Sequence, residues 1–292
     1  MRFQQYDLPE TILKGLDELG YEMPLPIQEQ VIPALLSKRD VQIISQTGSG
    51  KSASFLIPTL AKVDWNLRAI QTLVIAPTRE LSAQLMEEAD VISLYQKTQT
   101  VLLNGREKYE PQIQRLKRAH FAIGTPGRIL DHIKRGTLIL DHIDYVVLDE
   151  ADVLLDMGFQ SFIDEILSHI STSFTLALCS ATMDQRIQTL STSYLKEPIV
   201  CEAITQLTTL KQLYCEVDEM SRYETLCSYV AKNGYERVIV FCNRKETVEA
   251  IYEKMQKEGI SATRIHGELL QKERYQACLL YTSAGRKRYC AS

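Results

Sequence analysis

Short apolar runs alternate with amphipathic stretches along the first 200 residues of the chain. The runs are rich in Val, Ile and Leu, which is typical of strands buried on both faces of a parallel sheet. The stretches between them carry apolar residues at helical spacing, for example in Leu8–Leu19 and Gly158–Ile170. Strand and helix in alternation predict an α/β domain with a parallel sheet. The predicted strands are 41–45, 72–76, 101–103, 121–123, 145–148, 175–179 and 198–200.

The same pattern begins again after a polar, Thr-rich segment. Further strands are predicted at 213–217, 237–242 and 261–265, with helices between them. We therefore expect a complete N-terminal domain at 1–203, a linker at 204–211 and an incomplete second domain at 212–292. Because its central strand 238–241 would lack neighbours, we also expect the second domain to expose apolar edges.

The amino-acid composition limits the classes of protein to which this chain can belong. The chain has 292 residues, a net charge of -4, 45% apolar and 24% charged residues, as in an ordinary globular protein. Any nucleic-acid site must therefore be local, since an overall basic surface is absent. The seven cysteines form no CxxC pair, which favours the reducing cytoplasm over a disulfide framework or a zinc site. No apolar run is long enough to span a membrane, so we expect no membrane partner.

A Gly-punctuated loop follows the first predicted strand. Val41–Ser52 reads V-Q-I-I-S-Q-T-G-S-G-K-S and leads into an apolar helix that Pro58 is expected to bend or end early. This is the phosphate-binding P-loop arrangement, with Lys51 on the β/γ-phosphates and the Ser52 hydroxyl on Mg²⁺. One departure is Ser45, where the general pattern has glycine. A structural Gly-Ser turn before a helix is the alternative.

Upstream of the loop, Gln28 is the polar residue at the start of an apolar helix. Its amide can donate and accept at once, as a purine edge requires. Solvated surface is the alternative.

Two other predicted strands end in a turn with a Thr and an Arg. Thr78 and Arg79 follow the strand at 72–76, and Thr125 and Arg128 follow the strand at 121–123. Carboxyl ends of parallel strands are where ligands bind, and Thr–Arg pairs suit a phosphodiester backbone. A helix cap with an exposed arginine is the alternative.

The strand at 145–148 ends in Asp149-Glu150-Ala151-Asp152. Beside a P-loop, Asp149 can hold Mg²⁺ through water and Glu150 can activate a water molecule. An acidic helix N-terminus is the alternative. The next strand ends in Ser180-Ala181-Thr182, whose hydroxyls either bond the Asp149 and Asp152 carboxylates or cap a helix.

Together these motifs, in this order, resemble a bacterial-type DEAD-box RNA helicase of superfamily 2, across about residues 3–274. The resemblance implies two RecA-like domains, ATP with Mg²⁺ bound between them, and hydrolysis coupled to RNA unwinding. It implies that Phe3 stacks on adenine and that Gln28 reads it. The implied ATP-binding residues are Phe3, Gln28, Thr47, Gly48, Ser49, Gly50, Lys51 and Ser52; Lys51, Asp149 and Glu150 are the implied catalytic residues.

The resemblance also assigns the RNA contacts and the coupling residues. Asp152, Ser180 and Thr182 would couple hydrolysis to unwinding. Backbone contacts imply little sequence preference. Asn104 stands where the family has the first glycine of a pair, so only Gly105 carries over. The implied RNA-binding residues are Thr78, Arg79, Gly105, Thr125, Arg128, Asn243, Arg244, His266 and Gly267.

The last residues do not follow the family. The segment 277–292 matches neither the Thr-Asp strand end nor the arginine-finger motif that the family has there. We therefore expect a chain truncated within the second RecA-like domain, with a non-native tail and slow hydrolysis. The RNA is expected to be ribosomal RNA or a ribosome-assembly particle, and the protein a monomer. Two other functions stay open, a superfamily 2 DNA translocase and a non-catalytic ATP/RNA-binding clamp.

Overall fold

The computed structural model of the chain describes residues 2–46, 48–203, 211, 213–235, 237–269, 273 and 288–291. The chain divides into two compact units, Met1–Thr208 and Thr209–Ser292. Both contain parallel strands and helices, which confirms the predicted α/β class. Among the described residues, no helix is both long enough and apolar enough to cross a membrane.

The first unit is built on a seven-stranded sheet in the order β3-β4-β2-β5-β6-β1-β7, with every neighbouring pair parallel. All its strands therefore end at the same edge, where the predicted motifs lie. The strands are β1 Val41–Ser45, β2 Thr72–Ile75, β3 Thr100–Leu103, β4 Phe121–Gly124, β5 Tyr145–Leu148, β6 Thr175–Ser180 and β7 Ile199–Ala203.

Helices cover both faces of this sheet. Successive strand residues alternate between two hydrophobic clusters: Val74 and Val147 face one, while Ile75 and Leu148 face the other. This alternation follows from the two-residue period of a strand. The first cluster packs on α1 Glu10–Glu18, α2 Pro26–Leu36, α3 Lys51–Ala61 and α4 Arg79–Ile92; the second packs on α5 Tyr109–Leu116, α6 Pro126–Lys134, α7 Ala151–Asp156, α8 Gln160–Ser168 and α9 Gln185–Tyr194.

Pro58 lies inside α3 and does not end it, so of the two expected effects, a bend or an early end, the second was wrong. A proline in a helix interior costs about 3 kcal/mol. Its neighbours Phe55, Leu56 and Ile57 are fully buried, and burying each such side chain contributes about 1.5–3 kcal/mol. The packing of the helix on the sheet therefore outweighs the loss of one backbone hydrogen bond.

The second unit contains a smaller parallel sheet, in the order β8-β10-β9. Its described elements are α10 Arg222–Asn233, β8 Arg237–Val240, α11 Lys245–Lys257, β9 Ala262–Arg264 and β10 Arg288–Ala291.

Two expectations for the second unit were wrong. β8 does not lack a neighbour, because β10 pairs with it. Leu213–Val217 is not a strand. Leu213 and Tyr214 are strongly exposed, so these side chains do not pack against a sheet among the described residues. Phe241, directly after β8, is also exposed, as expected for an apolar edge.

Candidate functional site

The Gly loop connects β1 to α3. Gly48 and Gly50 both have φ of +81°, in the left-handed region that glycine adopts without strain. Gly50 is the N-cap of α3, so the backbone of the loop lies at the N-terminal, positive end of the helix dipole. Ser45 Oγ lies 2.8 Å from Ser49 Oγ, which gives the serine at the atypical position a contact inside the loop. Thr47 lies outside the described residues.

Two buried charges face each other at the end of the sheet. Lys51 begins α3 and Asp149 follows β5, and their Nζ and Oδ1 atoms are 3.7 Å apart. Their side chains are 7% and 1% exposed, and neither of these two atoms has a hydrogen-bond partner among the residues that the structure describes. Burial raises the pKa of Asp149, and the nearby Lys51 ammonium partly opposes this rise. Buried polar atoms normally have partners, so this pair is arranged to receive another group.

Gln28 is linked to the same loop. Its Oε1 accepts from the Leu25 backbone N–H (2.9 Å) and its Nε2 donates to the Gly50 carbonyl (3.1 Å). One amide hydrogen and one lone pair remain for another partner. A Cβ on Gly50 would lie 2.5 Å from Leu25 Cδ1 and 2.7 Å from Gln28 Nε2, so a side chain here would displace the end of Gln28 from its present position.

These groups line one cavity of about 700 Å³. Tyr21 and Glu88, which no motif in the sequence identified, also line it; Tyr21 Oη donates to Glu88 Oε1 at 3.2 Å. Burial raises the pKa of Glu88. Burial and the nearby Glu88 carboxylate together raise the pKa of Tyr21 to about 12. The spacing of Leu81, Gln84 and Glu88 on one face of α4 was the available signal. The lining residues are Gly20, Tyr21, Glu22, Met23, Leu25, Gln28, Gly48, Gly50, Lys51, Ser52, Ala53, Leu81, Gln84, Glu88, Asp149 and Glu150.

Phe3 does not line this cavity. Its ring is 2% exposed and belongs to the first hydrophobic cluster, so in this structure it packs in the core. Tyr21 is the aromatic side chain on the cavity wall. The expected stacking of Phe3 on a base is therefore not the arrangement seen here, because burial of an apolar ring in the core removes it from the wall.

The acidic turn after β5 has an unusual backbone. Glu150 has φ of +48°, which is uncommon for a residue other than glycine and is typical of functional sites. Asp152 Oδ2 accepts from the Ala181 N–H and the Thr182 hydroxyl, both at 3.2 Å. Ser180 Oγ instead donates to the Thr182 carbonyl. The turns after β5 and β6 are thus joined by Asp152 and Thr182, whereas Ser180 contacts no carboxylate there.

The turns after β2, β3 and β4 lie side by side at the same edge. Thr78 caps α4 by accepting from the Leu81 N–H at 3.2 Å, which is the structural role considered as an alternative. Thr78, Arg79, Gly105 and Thr125 are all partly exposed. These four positions can therefore reach a ligand at the surface.

Arg128 differs from its neighbours, because its side chain is buried. Its Nη1 donates to the Glu107 carbonyl (3.1 Å) and to Gln112 Oε1 (2.9 Å), and its Nη2 donates to the Glu107 carbonyl (3.0 Å). The guanidinium also lies over the Tyr109 ring. In this structure Arg128 supports the neighbouring turn and does not present its charge to a surface ligand.

In the second unit, Asn243 and Arg244 are exposed between β8 and α11, and Gly267 is exposed after β9. His266 Nε2 lies 2.6 Å from Glu249 Oε1, which also accepts from Arg264 Nε at 2.7 Å. The predicted residues of this unit are thus on its surface or directly beneath it.

A parallel sheet with a Gly loop, a lysine and a carboxylate at its carboxyl edge defines a P-loop nucleotide-binding protein of the α/β class. The chain belongs to the DEAD/DEAH box helicase family, whose family model matches residues 25–190. A second family model, the helicase conserved C-terminal domain, matches residues 221–290.

Relatives and solved structures agree with this assignment. The chain is 36% identical over 277 residues to the ATP-dependent RNA helicase DbpA of Bacillus subtilis (94% of this chain, 58% of the relative). It is 39% identical over 276 residues to the DEAD-box ATP-dependent RNA helicase CshA of Geobacillus kaustophilus (93% and 59%). The chain therefore spans just under three fifths of the length of these relatives.

Among solved structures, a DEAD box protein from Methanococcus jannaschii has a TM-score of 0.69 at 35% identity, with 100% of this chain and 80% of that chain covered. Dbp5 of S. cerevisiae bound to RNA and ADP BeF3 has a TM-score of 0.88 at 26% identity, with 99% and 75% covered. These matches confirm the predicted fold of two RecA-like parallel-sheet domains.

Proposed function

We propose that this chain is the ATP- and RNA-binding part of an ATP-dependent RNA helicase that couples ATP binding and hydrolysis to local unwinding of RNA duplexes. The observation that carries the proposal is the buried pair of Lys51 and Asp149, which face the cavity at the Gly loop with unpaired polar atoms. The names of the relatives support it, and so does the Dbp5 structure with RNA and ADP BeF3.

For ATP, we propose that the loop residues Thr47, Gly48, Ser49 and Gly50 surround the phosphates with their N–H groups. Lys51 binds the β/γ-phosphates and Gln28 hydrogen-bonds the adenine with its remaining donor and acceptor. Glu150 orients a water molecule on the γ-phosphorus and takes up its proton as the bond to the ADP oxygen breaks.

Mg²⁺ fits the residues at this site. Asp149 Oδ1 is buried with no hydrogen-bond partner in the described part of the chain, and Ser52 lines the same cavity. Carboxylate and hydroxyl oxygens suit Mg²⁺, which keeps part of its water shell. We propose that Ser52 and Asp149 hold Mg²⁺ partly through water, where the ion would neutralise charge developing on the phosphates. Because burial raises the pKa of Asp149, a nearby cation would favour its charged form.

For RNA, we propose that Thr78, Arg79, Gly105 and Thr125 contact the sugar-phosphate backbone, with Arg128 acting from behind the surface. The second unit would contact RNA through Asn243, Arg244, His266 and Gly267. Asp152 and Thr182 would couple the ATP site to the RNA site, and Ser180 would position Thr182 by donating a hydrogen bond to its carbonyl. We further propose a cytoplasmic monomer that acts on ribosomal RNA or its assembly particles. The bacterial relatives are named ATP-dependent RNA helicases, which supports RNA as the partner.

Adenine selectivity provides a test of Gln28. Changing Gln28→Ala should weaken ATP binding about tenfold, since hydrogen bonds to the base and to Gly50 are both removed. The preference for ATP over GTP should also disappear. Displacement of a fluorescently labelled ADP by each nucleotide measures both effects. Gln30→Ala is the matched control, because Gln30 is an exposed amide of the same helix that does not line the cavity; an unchanged ATP preference in Gln28→Ala would remove the assigned role.

The proposed function itself is tested by strand separation. RNA and DNA duplexes of the same sequence are mixed with excess protein and ATP, so that even slow hydrolysis suffices. We expect the RNA duplex to separate only with ATP and the DNA duplex to stay paired. Equal separation of DNA would favour the translocase, and ATP-dependent RNA binding without strand separation would favour the clamp.

A further inference from the structure

Gln112 on α5 lies at the centre of a buried polar network beneath the turns after β2, β3 and β4. Its Nε2 donates to the Asn104 carbonyl (3.1 Å) and to Glu107 Oε2 (3.0 Å). Its Oε1 accepts from Arg128 Nη1 (2.9 Å) and lies 2.9 Å from His132 Nε2. A glutamine amide has two donor hydrogens and two acceptor lone pairs, so all of its capacity is used. We call Ser82, Asn104, Glu107, Gln112, Arg128 and His132 the Gln112 network.

The partners determine the orientation of this amide. Arg128 has only donors, so the atom facing it must be the amide oxygen. His132 Nε2 faces the same oxygen and must therefore carry a proton. In neutral His132, Nδ1 is then the acceptor, and the Thr137 hydroxyl lies 2.9 Å from it. Burial first, and the Arg128 charge second, lower the pKa of His132 and favour this neutral form. The Gln112 amide is thus held in one orientation, with its donors and acceptors all paired.

Asn104 extends the network to the turn after β2. Its Oδ1 accepts from Ser82 Oγ (2.8 Å), and its Nδ2 donates to the Arg79 carbonyl (3.2 Å). Both contacts are made by the side chain of Asn104, which therefore links the turn of Arg79 to the turn of Gly105.

Arg128 closes the network from the turn after β4. It holds the Glu107 carbonyl through two N–H groups, and Glu107 directly follows the turn of Gly105. Side-chain hydrogen bonds thus connect the turn after β2 to the turn after β3, and the turn after β3 to the turn after β4. Each link is buried or half-buried, where an unpaired group is costly.

We infer that Gln112 and Asn104 are positioning residues, which hold these three turns in the relative arrangement that binds successive phosphates of RNA. The inference rests on the proposed function. Neighbouring phosphates lie at fixed spacing along a strand, so contacts from three turns form together only when the turns are held in register. Loosening the network should therefore weaken the binding of phosphates while leaving the nucleotide cavity intact, since no residue of the network lines that cavity.

The test compares Gln112→Met with Gln114→Met in the whole chain. Methionine keeps the length of the side chain and removes its hydrogen bonds, and Gln114 is exposed on the same helix. The probe is single-stranded RNA, titrated at several salt concentrations. In Gln112→Met we expect the Kd for RNA to rise about tenfold. The slope of log Kd against log salt should fall by about 0.7 for each phosphate that the protein no longer neutralises. The Kd for ADP should stay unchanged, and Gln114→Met should match the unaltered protein.

Asn104→Gly is the second variant, and it decides the matter if Gln112→Met does not fold. It removes both side-chain hydrogen bonds of Asn104, and we expect weaker RNA binding with a smaller salt slope. A merely structural role would lower the melting temperature without changing that slope. RNA binding and slope equal to those of the unaltered protein, in a folded variant, would overturn the inference and leave the proposed function intact. An unaltered chain that binds no RNA would overturn both.

Discussion

Changing Lys51→Ala is expected to weaken the binding of Mg-ATP about 100-fold, because the ammonium of Lys51 is the cation nearest the buried Asp149 and the Gly loop. Phosphates at the loop would otherwise face the Asp149 carboxylate without compensation. The substitution also leaves Asp149 buried without this cation, so its pKa should rise further. Displacement of fluorescent ADP measures the affinity.

Lys62→Ala is the matched control for this change. Lys62 is exposed at the other end of the same helix and lies outside the cavity. It should leave ATP affinity unchanged. Binding of ATP by Lys51→Ala with unaltered affinity would mean that the cavity at the Gly loop is not the nucleotide site.

Changing Gly15→Ala is expected to destabilise the first unit by about 3 kcal/mol. A Cβ at this position of α1 would lie 2.1 Å from the Ile92 carbonyl oxygen and 2.8 Å from that of Val91. These are backbone atoms at the end of α4, so one helix must move away from the other. The gain of about 1 kcal/mol from alanine over glycine in a helix does not offset this cost.

Urea unfolding followed by tryptophan fluorescence measures this effect. The chain has one tryptophan, Trp65, which lies in the first unit and reports on it alone. Asp17→Ala, an exposed position of the same helix, is the control and should change stability by less than about 0.5 kcal/mol. A midpoint for Gly15→Ala equal to that of the unaltered protein would show that α1 does not pack this closely on α4.

The sheet and the Gly loop could be predicted because their signals are local. A buried parallel strand appears as a continuous apolar run, and the loop requires glycine where φ is positive, as at Gly48 and Gly50. The acids after β5 were found because a strand end is a defined place in such a sheet. These features depend on residues that are close together in the sequence, so the sequence alone predicts them.

Features that depend on packing between distant segments could not be predicted. The burial of Phe3 and Arg128 is set by groups far along the chain, such as the Glu107 carbonyl that holds Arg128. Glu88 enters the cavity because α4 packs beside α3, and its only sequence signal was a helical face shared with Leu81. α3 likewise continues through Pro58 because the helix is buried, and local helix propensity does not predict that burial.

The central claim is that one chain binds ATP and RNA and couples the two. The most direct measurement is the affinity for single-stranded RNA with and without a non-hydrolysable Mg-ATP analogue, together with the reciprocal titration. We predict that the analogue tightens RNA binding at least about tenfold and that RNA tightens binding of the analogue by the same factor, because binding free energies are linked. Equal affinity for RNA in the presence and absence of the nucleotide would contradict the account.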